Sequence, residues 1–75
     1  MPDWQARLVE ERAELLKKTI ALKNTLDDKK NLKLSNREWE MLRSQFCVMR
    51  EYVQILTDRC VYYGLIEAGD LDLHY

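Results

Sequence analysis

The chain has 75 residues, of which 47% are hydrophobic and 33% charged, and its net charge is −1. This is one small domain with one modest core, too apolar for a disordered tail. Two Gly and one Pro are too few for a sandwich or barrel of many tight turns, and the lack of a basic excess argues against a general nucleic-acid binder. No apolar run approaches the roughly 20 residues of a membrane helix, and Met1-Pro-Asp-Trp-Gln5 lacks the basic and apolar regions of a secretion signal.

In chain order the pattern predicts a helix over residues 3–28, a connection over 29–34, a second helix over 35–63 and an acidic tail over 64–75. All belong to a single helical-hairpin domain spanning residues 1–75. Asp3, just after Pro2, is the expected cap of the first helix. The second helix opens on a stronger signal, Ser35 followed three residues later by Glu38, and it stops at Gly64. A short connection folds the two helices back on each other, so the fold class is all-α, an antiparallel hairpin. The tail carries Glu67, Asp70 and Asp72. It is either a mobile acidic end or docks through Leu65, Ile66, Leu71 and Leu73.

Each helix has more apolar surface than its mate can cover. In the second, Trp39, Leu42, Phe46, Met49, Val53, Leu56, Cys60 and Tyr63 follow a three-four rhythm. Beside them run Met41, Val48, Ile55 and Tyr62, each seven apart, with Tyr52 alongside. The first helix has two stripes as well, Val9-Ala13-Leu16-Ile20 and Leu8-Leu15-Leu22-Leu26. A lone hairpin would expose one stripe along its whole length, which soluble monomers seldom tolerate. A helical homo-oligomer is therefore expected, with the second stripes buried between chains.

The chemistry-bearing residues are sparse. Cys47 and Cys60 fall inside the helical pattern and are expected to be reduced, buried thiols. With His74 the one histidine, neither a metal site nor a cofactor is expected, and no catalytic motif is present. Arg12, Thr19 and Lys23 lie between the stripes of the first helix, and Arg59 lies on the side of Met41, Val48, Tyr52 and Ile55. A cation at an apolar seam needs an anion: either a neighbour's carboxylate or a ligand phosphate, which a guanidinium fits well. Trp4 and Lys18 share a similar helix face about 21 Å apart along the axis. Only different chains could bring them to one ligand, the indole on a base and the ammonium on a phosphate. Otherwise Trp4 is an apolar anchor and Lys18 a solvated charge paired with Glu14.

The run Gln5-Ala-Arg7-Leu-Val-Glu10-Glu11-Arg-Ala-Glu14-Leu15, with Lys18 and Leu22, resembles the opening of small phage hairpin proteins. Leu42-Arg-Ser-Gln45, Met49-Arg-Glu-Tyr52 and Leu56-Thr-Asp58-Arg59 match the same spacing. The family resembled is the phage anti-CBASS and Thoeris anti-defence hairpin group, over residues 4–60. The resemblance implies a hexameric, non-enzymatic sponge in the cytoplasm of the infected bacterial host. Such a sponge sequesters cyclic dinucleotides or trinucleotides between subunits; on charge and hydropathy neither DNA nor membrane is an expected partner. Trp4 and Lys18 look like the dinucleotide-binding aromatic and lysine; the family's aromatic is usually a tyrosine. Arg59 looks like the trinucleotide-binding arginine, with Thr19 or Ile20 as the first-helix contribution. The rival expectation is a structural or adaptor coiled-coil hairpin that binds a partner protein's helix.

Overall fold

The computed structural model describes residues 2–28 and 33–67. It is an antiparallel pair of helices, α1 (Asp3–Asp27) and α2 (Asn36–Tyr62). The pair forms a rod measuring 46 × 22 × 15 Å. The helix bounds agree with the predicted ones to within one residue at each end. Residues 29–32 of the predicted connection, and Asp70, Leu71, Asp72, Leu73 and His74 of the tail, lie outside the described residues.

The helix ends show which signals the backbone uses. Asp3 is not the cap of α1. Pro2 takes that position, with φ −58° and ψ 147° and no side-chain cap, and its carbonyl accepts from Gln5 and Ala6 N–H. The fixed φ of proline already turns the chain into the helix, so Asp3 becomes the first helical residue and places its charge in the first turn. At α2 the capping box forms as expected. Glu38 N–H donates to Ser35 Oγ at 3.2 Å, and Ser35 N–H donates to Glu38 Oε1 at 3.4 Å. The other end of α2 closes in a Schellman turn. Gly64 sits at φ 69°, its N–H reaches Val61 O at 2.9 Å, and Leu65 N–H reaches Cys60 O at 2.8 Å.

That turn sends Leu65 and Ile66 back onto the cluster of Leu8, Leu56 and Cys60. The start of the tail therefore covers the chain's own core. Val53, Leu56 and Cys60 of α2 and Leu8 of α1 are buried. Thr19 and Thr57 are buried beside them, and each hydroxyl donates to the carbonyl one turn back, Leu15 O and Val53 O, both at 2.7 Å. Arg12 enters the same seam, its Nε donating to Thr57 Oγ1 at 2.9 Å.

Two burial expectations need correction. Cys47 is exposed, because one residue past Phe46 swings it about 100° off the core stripe. Tyr63, expected to end that stripe, is the exposed C-cap of α2. On α1 the row of Leu8, Leu15, Leu22 and Leu26 faces α2, whereas Ala13 and Ile20 are exposed.

Candidate functional site

The row that the hairpin leaves uncovered is the second stripe of α2. Met41 is 55% exposed, Val48 66%, Ile55 56% and Tyr62 82%. At 100° per residue, Tyr52 and Arg59, seven apart, lie on the flank between this row and the core. The matching flank of α1 carries Trp4, Glu11 and Lys18, also seven apart. The two flanks are joined where Tyr52 O–H donates to Glu11 Oε1.

One face of the rod thus carries Trp4, Glu11 and Lys18 from α1 with Tyr52 and Arg59 from α2. At one end of that face Trp4 meets Tyr63 edge-on at 4.8 Å, and Tyr63 meets Tyr62 at 5.1 Å, also edge-on. Trp4 is held by this contact yet stays 47% exposed, so part of its ring remains available. Arg59 lies one turn before Tyr63 on α2, which puts a guanidinium near the aromatic end. Among the described residues neither Arg59 nor Lys18 forms an ion pair; Glu14 does not engage Lys18.

Electrostatics within this face are set by Glu11. The hydrogen bond to Glu11, and then its negative charge, raise the Tyr52 phenol above the ordinary tyrosine range, while Arg59 pulls the other way. Tyr52 thereby remains the donor, and Glu11 spends a lone pair on it. Behind the face, burial pushes the Cys60 thiol upward, with Arg12 and Arg59 opposing.

The remaining candidates lie elsewhere. Thr19 is fully buried in the helix seam, its hydroxyl given to Leu15 O. Ile20 is partly exposed on the opposite flank of α1. The Arg12–Thr57 and Trp4–Tyr63 contacts set the antiparallel register, which puts Ile20 opposite residues 47–49. Arg59 is then about 15–18 Å farther along the rod. A single chain therefore brings neither Trp4 to Lys18 nor Arg59 to Ile20. Sequence reasoning put Tyr52 on the side of Arg59 but missed Glu11 and Tyr63 as neighbours of these residues. The seven-residue spacing 4-11-18 beside 52-59 was the available signal, but it needs the register between helices to become a face.

Among the described residues no three His, Cys, Asp or Glu side chains are grouped to hold a metal, and no helix is long and apolar enough to cross a membrane. No solved structure matches the chain. A phage T4 protein, described as an uncharacterized 7.5 kDa protein in the denB-rIIB intergenic region, is 41% identical over 56 residues. That alignment covers 75% of this chain and 88% of the T4 protein. The Sequestin family model matches residues 2–62, nearly the whole described hairpin, and the chain belongs to the Sequestin family.

Proposed function

We propose that this protein is a phage anti-defence sponge of the anti-CBASS and Thoeris type. It binds cyclic dinucleotides or trinucleotides at pockets between copies of itself and withholds them, uncleaved, in the cytoplasm of the infected host. The observation that carries this reading is the uncovered row Met41, Val48, Ile55 and Tyr62, flanked by Arg59, Tyr52, Trp4 and Lys18. An apolar row of that length favours association of chains. Association, as a hexamer in this proposal, brings together charged and aromatic groups that one chain holds far apart.

Membership of the Sequestin family supports binding and retention rather than turnover. The chemistry fits too. Trp4 offers an aromatic face for a base, worth about 1–3 kcal/mol in stacking. Lys18 and Arg59 offer cations for the phosphates, and symmetry-related copies of Arg59 multiply that term on a cyclic ligand. Ile20 of a neighbouring chain supplies an apolar wall to the Arg59 pocket, and Thr19 lies beneath it.

The test is calorimetry of the purified protein against cyclic dinucleotides, cyclic trinucleotides and cyclised ADP-ribose. Arg59→Ala or Lys18→Ala is expected to weaken binding of at least one ligand about tenfold or more while the particle mass stays the same. Ligand released by heat should be chemically intact. No change in binding with either variant overturns the residue assignment, and a fragmented ligand overturns the sponge.

A further inference from the structure

At the end of the hairpin near the connection, the two helices part into a cleft of about 450 Å³, within the roughly 300–1,000 Å³ of small-molecule sites. Leu26 and Lys23 line it from α1, and Trp39, Phe46, Arg43 and Cys47 from α2, with Asp27 at its edge. It lies on the flank opposite to Trp4, Lys18 and Arg59, and at the far end of the rod from Trp4 and Arg59.

We propose that this cleft is a second binding site, for an aromatic anion up to the size of a nucleoside monophosphate. Its walls combine an apolar slot and cations at its mouth. Trp39, Phe46 and Leu26 supply an apolar, half-buried slot for a flat ring. Arg43 and Lys23 supply cations at its mouth. Arg43 is exposed and forms no hydrogen bond or ion pair among the described residues. Lys23 meets Asp27 at 3.5 Å across one helical turn, a weak solvent-exposed pair, so its charge is easily drawn to a stronger anion. With Asp27 counted, the lining carries net positive charge. The ring fixes the ligand's depth, and the guanidinium, planar and bidentate, fixes the phosphate or carboxylate.

The cleft carries its own reporters. The chain has two tryptophans, so Trp4→Phe leaves Trp39 as the sole indole. Cys47 is the exposed thiol, and Cys60 is buried. In the Trp4→Phe protein, AMP is expected to quench Trp39 fluorescence and slow the reaction of Cys47 with a thiol reagent over the same concentration range. Adenosine and inorganic phosphate, each lacking half of the recognition, should do so only at much higher concentration. Arg43→Ala should weaken AMP about tenfold, the loss of one charge-assisted contact; Lys23→Ala should have a smaller effect. If AMP at millimolar concentration neither quenches Trp39 nor protects Cys47, or if Arg43→Ala binds equally well, the proposal fails. Cys47 that is already protected without ligand at associating concentrations would also overturn it, making the cleft a contact between copies. Because Trp39 and Cys47 line this cleft, away from Trp4, Lys18 and Arg59, these outcomes are distinguishable from cyclic-nucleotide binding at those three residues.

Discussion

The two halves of the rod are packed differently. In the half that holds the start of α1 and the end of α2, Leu8, Val53, Leu56, Thr57 and Cys60 are buried, and Leu65 and Ile66 fold back over them. In the half toward the connection, Leu22, Leu26, Trp39, Leu42 and Phe46 are only half-buried, and Thr19 near the middle is the last fully buried residue. One half is a closed core. The other keeps apolar side chains partly open and holds the cleft. The difference teaches that burial is distributed unevenly along the rod. The sealed end sets the register, and the open end and outer rows keep surface in reserve.

Truncation in each half gives the largest expected contrast. Leu56→Ala should cost about 2–5 kcal/mol in denaturant unfolding, and Leu42→Ala roughly half of that or less, because less of its surface leaves water. Equal losses would erase the distinction between the halves. Next in size is the polar lock within the sealed half. Thr57→Val removes the hydroxyl that accepts from Arg12 Nε and should cost about 1–2 kcal/mol. A neutral result would mean that this hydrogen bond does not help hold the register.

The smallest effect is in the pH dependence. Burial raises the Cys60 thiol above its ordinary range, so the folded state keeps its proton while the unfolded chain loses it. Stability is then fully present at neutral pH and falls as pH rises past the ordinary thiol range. Cys60→Ala should flatten this slope, whatever its own cost. A slope that persists unchanged would assign it to another group.

Much of this was legible in the residues. The three-four rhythm, the Ser35–Glu38 box and Gly64 placed both helices, because each rests on local physics that acts within a turn. The spare row 41-48-55-62 was also readable, since a seven-residue spacing keeps one side of a helix. What failed was position-specific. Asp3 lost the cap to Pro2, and Cys47 fell one residue off the stripe. The face joining Trp4, Glu11 and Lys18 to Tyr52 and Arg59 stayed hidden because it depends on how far one helix slides along the other. Neither helix's own pattern sets that register; long-range contacts such as Arg12–Thr57 do.

Self-association through the open row of α2 is the centre of the account, and particle mass tests it most directly. Light scattering or sedimentation of the unmodified protein at micromolar concentration should give a multiple of the 9.0 kDa chain. Val48→Glu or Ile55→Glu, which set an unpaired carboxylate in the seam, should return it to a single helical chain. An unmodified protein that stays at 9.0 kDa, or variants that keep the assembled mass, would contradict it.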